Sequence, residues 1–527
     1  MQAFLQRHAE LIQGVLSGFD RLRMRGTLRL LQTGGGVVTW LGQLGLKVSD
    51  FTRHVDAMRK RLVARTNADA KAAGRPVIYQ AGNEPKEELV QQIRKEQGVA
   101  ENGLIAVLST LELTHSWEVY RTKDRDAAGL NHRPRKCLHY YFYYDDGRFG
   151  LTQVRLATYF PFNCHVMLNG REWLALELDK RNMSYERRDN CFLSIENLPI
   201  AQALMARQAK IDWPGQLSRV LRRAHPLHAE FFAGPLDYYW TAEQTEWATD
   251  ILFRDRQMLA RLYPQLLRRG IETFQSPDVL RFLGRKLTSR GKVLGTFKGE
   301  VESDLKRRLE GVRIKHRVGK NSVKMYDKQQ SVLRVETTLN GTSGLKSYRR
   351  ADGDPASPRQ WRNLRKGVAD LPRRAELSQA ANERYLEALA VVPAETPLKE
   401  LTDKLCRPVT VTHTRADGTS SKRRHRGLRL LEADEQQLLK EISRGEHLIT
   451  GFRNRDLRLA LFGATDDKTL QRRQAGQISR RLALLRAHGL IKKIPRTQRY
   501  QLTTFATQAL PALLALPQTP LSTLAAA

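Results

Sequence analysis

The chain has few cysteines, and their spacing predicts neither a disulfide framework nor a zinc ribbon. Its 527 residues contain four, with no C-x-x-C pair among them: Cys137, Cys164, Cys191 and Cys406. Small proteins held together by disulfides carry many closely spaced cysteines, and zinc ribbons need paired ones. We therefore expect reduced thiols, as is usual in the cytoplasm.

Long apolar runs are also missing. No window approaches the 18 to 20 consecutive apolar residues that a bilayer-spanning helix needs. The first residues lack the apolar core of a signal peptide, and the apolar stretch from Ala509 to Ala527 is interrupted by Pro511, Pro517 and Pro520. The sequence therefore predicts a cytoplasmic protein without a membrane partner, and it contains no internal repeat.

Acidic residues are scarce relative to basic ones. The chain has 89 Lys and Arg against 55 Asp and Glu, which gives a formal net charge of +34. The excess is spread along the chain, because the part from Asp403 onward holds 23 basic and 10 acidic residues. A charge of this size predicts a polyanionic partner, and DNA or RNA is the commonest one.

The hydrophobic pattern predicts a multidomain α+β protein. At 41% hydrophobic residues the chain can form real cores. We predict a mostly helical region at 1–100, a β-rich domain at 101–200, a helical region at 201–310, a β-meander at 311–340, basic linkers with one helix at 341–431, a winged helix at 432–506 and a tail at 507–527.

The C-terminal part has the order of a helix-turn-helix module. Helices are predicted at Asp434–Ser443, Asn454–Phe462 and Lys468–His488, with Leu470, Ile478, Leu482 and Leu485 as the apolar stripe of the third. Gly489 provides a left-handed cap. A strand, a basic turn and a second strand then follow from Leu490 to Thr503, which is the pattern of a wing.

This part resembles the winged-helix domains of MarR-type regulators, notably in the segment from Ile478 to Ile491 and in Arg499-Tyr-Gln-Leu-Thr. In such modules the third helix enters the major groove and the wing approaches the backbone. The resemblance therefore implies two sets of nucleic-acid-binding residues. The helix would contribute Arg472, Arg473, Gln474, Gln477, Arg480 and Arg481, and the wing Lys492, Lys493, Arg496 and Arg499. In the preceding linker, the charge run with Arg423 and Arg424 could follow a phosphate backbone or act as a spacer.

Two groups of carboxylates invite competing interpretations. Asp20 lies among arginines in a segment that alternates like a half-buried strand, so it either neutralises them or serves as a site carboxylate. Glu243, Glu246 and Asp250 share one face of a helix predicted at Trp240–Asp255. They could bind Mg²⁺ or pair with arginines, and we favour pairing.

A strand with five consecutive aromatic residues, Tyr140 to Tyr144, is predicted in the β-rich region. One face must be core, and the other could stack nucleic-acid bases as sheet platforms do. Core packing is the commoner use of such residues.

The segment from Val323 to Glu336 contains Tyr-Asp-Lys at the end of one predicted strand and Arg-x-Glu on the next. It resembles a motif of phage and plasmid rolling-circle replication initiators, in which a tyrosine attacks a DNA phosphodiester beside a divalent metal. By that resemblance Tyr326 would be the nucleophile, Lys328 a phosphate contact and Glu336 a ligand of Mg²⁺ or Mn²⁺. The His-x-His metal motif of many such initiators is absent. Without catalysis, Tyr326 would be an exposed strand-end aromatic.

The segments Phe19–Thr27 and Tyr159–Trp173 resemble a widespread bacterial family of uncharacterised activity, some of whose members carry regulator labels from the C-terminal module. That resemblance implies no mechanism. From the sequence we expect a DNA-binding regulator or mobile-element factor that binds duplex DNA. The alternatives are a metal-dependent DNA-processing enzyme and a scaffold for structured RNA.

Overall fold

Helices and strands alternate along the chain and divide it into two compact units. The first comprises Met1–Tyr263 with Ser276–Ala388, and the second Pro264–Gln275 with Leu389–Ala527. A computed structural model describes residues 1–82, 84–99, 102–122, 125–232, 236–288, 292–308, 311–390, 402–403, 405–414, 420–444, 447, 451–494 and 497–518. The mixture of helices with a large sheet agrees with the predicted α+β class.

Eleven strands form the sheet around which the first unit is built. They are β1 (Ile12–Thr27), β2 (Ile78–Tyr79), β3 (Leu104–Thr122), β4 (Arg125–Asp146), β5 (Gly150–Ala157), β6 (Cys164–Asn169), β9 (Tyr239–Phe253), β10 (Val301–Arg308), β11 (Gly311–Val318), β12 (Asn321–Lys328) and β13 (Val332–Leu339). Their order is β10-β11-β12-β13-β9-β1-β6-β5-β4-β3-β2. Neighbours are antiparallel except β2 and β3. Two small hairpins accompany the sheet, β7 (Tyr185–Arg188) with β8 (Cys191–Ile195) and β14 (Lys346–Arg349) with β15 (Gln360–Asn363).

Helices alternate with these strands along the chain. They are α1 (Gln2–Arg7), α2 (Gly34–Gln43), α3 (Phe51–Ala72), α4 (Lys86–Gln97), α5 (Gly170–Asp179), α6 (Leu198–Gln208), α7 (Trp213–Ala224), α8 (His228–Phe231), α9 (Arg256–Glu272), α10 (Ser276–Phe282) and α11 (Leu371–Ala390). Buried residues from β1, β5, β6 and several helices form one large apolar cluster. Among the described residues no helix combines the length and apolarity that crossing a bilayer requires.

The mostly helical region predicted at 1–100 is interrupted near its start by a long strand. Helix α1 ends at Arg7, and β1 begins at Ile12. Gly14 and Gly18 lie where α6 approaches this strand, because a Cβ at either position would meet the Leu198 or Met205 side chain. Glycine therefore lets this helix pack directly on the sheet, while β6 and β9 pair with the two edges of β1.

The helix predicted at Trp240–Asp255 is also wrong, because this segment forms β9. It lies between β1 and β13 and pairs with both along most of its length, and these long-range ladders override a helix-like local pattern. In a strand, Glu246 and Asp250 share one face and Glu243 points to the other.

The segment from Gly341 to Arg374, which belongs to the basic linkers predicted at 341–431, contains the β14–β15 hairpin. Leu345 and Leu364 are buried against Leu339 of β13, so three widely spaced leucines are enough to anchor a segment rich in Gly, Pro and Arg. The second predicted linker, Pro393–Leu431, lies partly outside the described residues. Its described part contains the hairpin of β16 (Val409–Thr414) and β17 (Ser420–His425).

The aromatic strand serves the core. Tyr140, Phe142 and Tyr144 join the large apolar cluster, and Tyr143 joins a smaller cluster on the other face. The hydroxyl of Tyr141 donates to Glu112. Both faces are therefore occupied, and a base-stacking platform at this strand is excluded. The β-meander predicted at 311–340 is confirmed, because this region forms three antiparallel strands.

Besides the end of α9 and the β16–β17 hairpin, the described part of the second unit has four α-helices and another short hairpin. These are α12 (Ala433–Ile442), α13 (Asn454–Phe462), α14 (Lys468–Ala487), β18 (Ile491–Lys493), β19 (Tyr500–Leu502) and α15 (Thr504–Ala515). The first three helices start and end within one residue of their predicted bounds. Ile478, Leu482 and Leu485 pack into the unit's core, whereas Leu470 is 40% exposed, so its predicted place in the apolar stripe is wrong.

Candidate metal centre and candidate nucleic-acid interface

Four neighbouring strands, β12, β13, β9 and β1, bring charged side chains to one face in the middle of the large sheet. Lys324 of β12 lies opposite Glu336 of β13, and Arg334 of β13 lies opposite Asp250 of β9. Side chains two or four positions apart on a strand share a face, so Arg334 with Glu336, and Asp250 with Glu246, form two charged rows. The register therefore concentrates both signs of charge in one place.

A β-bulge in β1 adds Asp20 to this face. Phe19 pairs with Trp247 and Leu22 pairs with Thr245, so Asp20 and Arg21 together oppose Glu246. An extra residue in one strand redirects the side chains next to it, and such bulges often lie beside functional sites. Asp20 is buried as a result, whereas Arg21 remains exposed at the edge of the group.

Asp20, Glu246 and Glu336 form a triad of carboxylates, here called the carboxylate cluster. One oxygen of each lies within 4.8 Å of those of the other two, and all three residues are buried. Carboxylate oxygens are the ligands that Mg²⁺ and Mn²⁺ prefer. The cluster is therefore where this chain could hold a divalent cation.

Arg334 ties the strands beneath the cluster together. Its side chain has no exposed surface, and its guanidinium donates to Asp250, to Asp20 at 3.0 Å and to the carbonyl of Asn190 at 2.8 Å. Arg171 of α5 adds a second ion pair to Asp250, at 3.0 Å. Burial alone would lower the pKa of Arg334, but Asp250 and Asp20 raise it well above its ordinary value, so this arginine stays charged.

The carboxylates of the cluster differ in how well internal cations satisfy them. Burial raises the pKa of Glu336, but the Lys324 ammonium at 2.6 Å outweighs it and brings the value to about 2. For Glu246 the balance is reversed: burial and the nearby Glu336 raise its pKa despite Lys324 at 3.4 Å. Glu246 would therefore gain more from an added cation than Glu336 would.

Of the three residues implied by the resemblance to replication initiators, Tyr326 and Glu336 lie together. Tyr326 is 7% exposed, and its hydroxyl donates to Glu336 at 2.6 Å. Burial and the adjacent Glu336 raise the pKa of Tyr326 well above its ordinary value. Lys328 is also buried, with its ammonium 5.9 Å from the centre of the Tyr326 ring. This geometry favours Tyr326 as a donor that orients Glu336 over Tyr326 as a nucleophile, and the expected exposed strand-end aromatic is wrong.

The structure separates the three carboxylates predicted to share one helical face, Glu243, Glu246 and Asp250. Glu243 points away from the cluster and contacts Arg23 at 2.8 Å and His165 at 3.2 Å. Asp250 is fully engaged by arginines. Pairing thus accounts for two of the three residues, and only Glu246 joins the carboxylate cluster.

In the second unit, α14 presents a basic face to solvent. Arg472, Arg473 and Arg480 are exposed, and none has an ion pair within the described part of the chain. They lie opposite the buried stripe of Ile478, Leu482 and Leu485 by helical spacing. We call these three residues the arginine face.

Other residues predicted for this interface differ in their surroundings. Gln474 is buried, so its predicted place on the exposed face is wrong. Gln477 is half-buried. Arg481 is 28% exposed and forms an ion pair with Asp434 of α12 at 2.8 Å. The exposed basic surface of α14 is therefore narrower than the one predicted from the sequence.

The hairpin after α14 adds further cations. Lys492 and Lys493 of β18 are exposed, whereas Arg499 donates to the carbonyl of Gly451 at 3.1 Å. Arg496 lies outside the described residues. Arg423 and Arg424 are exposed on β17, a paired strand where a linker was predicted.

Comparison with protein-family models, with curated proteins and with solved structures returns no match for this chain. The resemblances to MarR-type domains, to replication initiators and to the bacterial family thus stay predictions. The carboxylate cluster, Asp250 and the side chains that bind them form the charged network of the central sheet. Sequence reasoning did not identify its members Lys324, Arg334, Arg171 and Asn190. The available signal was the placement of Arg334 and Glu336 at alternate positions of a strand whose every residue is buried.

Proposed function

We propose that this chain is a nucleic-acid-binding protein whose arginine face contacts the phosphate backbone or groove of a duplex. The observation that carries the proposal is the set of three exposed arginines on one face of a 20-residue helix, which form no ion pair with any described residue. A helix of this kind fits the major groove of DNA. The exposed lysines of the following hairpin, Lys492 and Lys493, would approach the backbone as a wing does.

The composition supports the same partner. A formal net charge of +34 attracts polyanions over long distances and produces salt-dependent binding through the release of counterions. Regulation of transcription and maintenance of a mobile element are the settings in which we place such a protein.

The test is duplex binding by the full chain with the arginine face neutralised. We expect Arg472→Gln/Arg473→Gln/Arg480→Gln to weaken binding of a labelled DNA duplex by at least about ten-fold at low salt, since each phosphate contact contributes through counterion release. Fluorescence anisotropy measures the affinity.

The matched control removes the same charge elsewhere. Lys60 and Lys71 of α3 and Lys95 of α4 are exposed. The triple change of these lysines to glutamine should leave affinity close to that of the unaltered protein. Equal losses in the two triple variants would show that only net charge matters and would refute a specific role for α14.

A second function, metal-dependent cleavage of phosphodiesters, is favoured by the convergence of Asp20, Glu246 and Glu336. These residues would hold Mg²⁺ or Mn²⁺, which polarises a phosphate and activates water when bound. Lys324 would keep Glu336 ionised, and the Tyr326 hydroxyl would fix its orientation. Because the three carboxylate side chains are at most 10% exposed, a phosphodiester could reach them only after movement of the covering side chains.

This second function is tested by nicking of plasmid DNA with Mn²⁺ or with a chelator. Glu336→Gln should abolish metal-dependent nicking and the stabilisation of the fold by Mn²⁺. Glu243→Gln is the control, because Glu243 lies on the opposite face of the same sheet. Absence of both nicking and Mn²⁺-dependent stabilisation in the unaltered protein would exclude a metal centre here.

A further inference from the structure

The β14–β15 hairpin displays two large aromatic rings to solvent. Tyr348 and Trp361 are directly opposite each other in the ladder, and their ring centres are 5.6 Å apart. Tyr348 is 56% exposed and Trp361 66% exposed. Exposing a tyrosine and a tryptophan side by side leaves apolar surface in contact with water. Binding of a partner that covers the two rings would therefore be favourable.

The hairpin holds these rings in a fixed position. Leu345, just before β14, and Leu364, just after β15, are buried together with Leu339, and the Leu364 amide donates to the Leu345 carbonyl at 3.0 Å. The turn is braced by Asp352, which pairs with Arg349 and with Arg365, each at 2.8 Å. A ligand that stacks on the rings would therefore meet a preorganised platform.

Three cations lie close to the two rings in the hairpin. Lys346 lies two residues before Tyr348 on the same strand, so side-chain alternation places it beside the ring. Arg350 directly follows β14 and Arg359 directly precedes β15, which puts both next to the ring-bearing ends of the strands. All three are exposed, and within the described ranges none has an ion pair. Two aromatic rings are thus flanked by cations at both ends.

The acidic residues of this segment do not neutralise those cations. Between Gly341 and Arg374 the chain has nine basic and three acidic residues. Asp352 and Asp370 are engaged by Arg349, Arg365 and Arg373. The third, Asp354, accepts backbone hydrogen bonds in the turn. The outward face of the hairpin consequently stays positive.

We propose that this face binds single-stranded nucleic acid, with unpaired bases stacking on Tyr348 and Trp361 and the backbone phosphates following Lys346, Arg350 and Arg359. Proteins that bind single strands combine a positively charged track with aromatic rings on which bases stack. Bases within a duplex are stacked on each other and cannot reach the rings. The ligand is therefore a different form of nucleic acid from the duplex assigned to the arginine face.

Charge argues against a second copy of this chain as the occupant. In a symmetric dimer the same patch would face itself, and the three unpaired cations of one copy would approach those of the other. Like charges that face each other across an interface oppose association. A polyanion with exposed bases satisfies the rings and the cations at once.

The experiment measures binding of fluorescent oligo(dT) and oligo(rU) to the full chain. We expect Tyr348→Ala/Trp361→Ala to weaken binding of at least one of them by about five-fold or more per ring, because stacking on a base contributes roughly 1–3 kcal/mol. Tyr348→Phe/Trp361→Phe should bind like the unaltered protein, since phenylalanine retains the stacking surface. Which oligonucleotide binds more tightly decides between DNA and RNA.

Tyr79→Ala is the control, because Tyr79 is 62% exposed on β2 without a facing ring in the described structure. It should leave single-strand affinity unchanged. Duplex binding is measured in parallel and should survive loss of the two rings, so this proposal and the one for the arginine face can fail separately.

Three results would overturn the proposal. The first is unchanged single-strand affinity in the alanine variant, and the second is an equal loss in the phenylalanine variant. The third is a dimer of the unaltered protein that the alanine variant converts to a monomer in sedimentation, with no change in nucleic-acid affinity. That last result would assign the surface to a second copy.

Discussion

The charged network of the central sheet and the arginine face of α14 use the same residue type in opposite ways. Arg334 has no exposed surface and donates to two carboxylates and a carbonyl. Arg472, Arg473 and Arg480 are exposed and have no ion pair among the described residues. The hydrogen-bond donors of Arg334 are thus engaged within the chain. The guanidinium groups of the arginine face are available to bind a partner molecule.

This difference shows why the net charge of the chain cannot be read directly as binding surface. Part of the positive charge neutralises buried carboxylates and so stabilises the fold. Only cations that remain exposed and unpaired can release counterions on binding a polyanion. The comparison therefore predicts that substitutions in the sheet mainly change the stability of the fold. Substitutions on the arginine face should mainly change the affinity for nucleic acid.

The largest expected effect on stability comes from Arg334→Met. Removing the guanidinium leaves Asp20 and Asp250 buried with fewer partners, and breaking a buried ion pair from one side costs about 3–5 kcal/mol. Arg472→Met is the matched change at an exposed position and should alter the free energy of unfolding by no more than about 0.5 kcal/mol. Urea denaturation measures both, and similar values would erase the distinction between the two regions.

Tyr326→Phe should have the next largest effect. It removes one buried hydrogen bond to an ionised carboxylate, for which we expect a loss of about 1.5–3 kcal/mol in the free energy of unfolding. Tyr348→Phe, at an exposed position, should be close to neutral. A covalent protein–DNA adduct that forms with Tyr326 and disappears in the phenylalanine variant would contradict the orienting role and establish the nucleophile.

Glu336→Gln and Glu246→Gln should shift stability in opposite directions in metal-free buffer at neutral pH. The pKa of Glu336 is held at about 2, so its ionised form stabilises the fold above the ordinary glutamate range, and this stability is lost as the pH falls toward 2. The pKa of Glu246 is raised, so stability falls as the pH rises through its titration. Glutamine should therefore destabilise at 336 and stabilise at 246.

Thermal unfolding between pH 3 and pH 8 would check this pair of changes, with Glu243→Gln as a carboxylate outside the cluster. Two destabilising substitutions of equal size would show that Lys324 satisfies both carboxylates equally. In that case Glu246 would have no particular need for an added cation.

The smallest expected difference lies within α14. Arg481→Gln should weaken duplex binding less than Arg480→Gln, because Arg481 is engaged by Asp434 while its neighbour is not. Anisotropy titrations at one salt concentration would rank them. A greater loss at Arg481 would mean that the ion pair opens when the duplex binds.

Local signals predicted the C-terminal elements well. The start of α14 is fixed by the Asp467 side chain, which accepts from the amides of Thr469 and Leu470, and its end by Gly489 at a φ of 70°. Caps and a 3.6-residue period act within a few residues of sequence, so they can be recognised without tertiary information.

The charged network could be predicted only in part, because its contacts join distant residues. The resemblance to replication initiators implied that Tyr326 and Glu336 belong to one site, and Asp20 was open to two interpretations. The contact between Arg334 and Asp20 spans 314 positions, and no local pattern carries such a register. Glu246 was assigned to a helix because its spacing from Glu243 and Asp250 is helical, whereas in the strand Glu243 lies on the opposite face from the other two.

The most direct test of the distinction between paired and unpaired cations is the salt dependence of duplex affinity. For the unaltered chain the logarithm of the binding constant should fall steeply and linearly with the logarithm of salt concentration. In Arg472→Gln/Arg473→Gln/Arg480→Gln the slope should be smaller by roughly one unit for each lost phosphate contact. An unchanged slope would show that the arginine face does not touch nucleic acid and would contradict the proposed function.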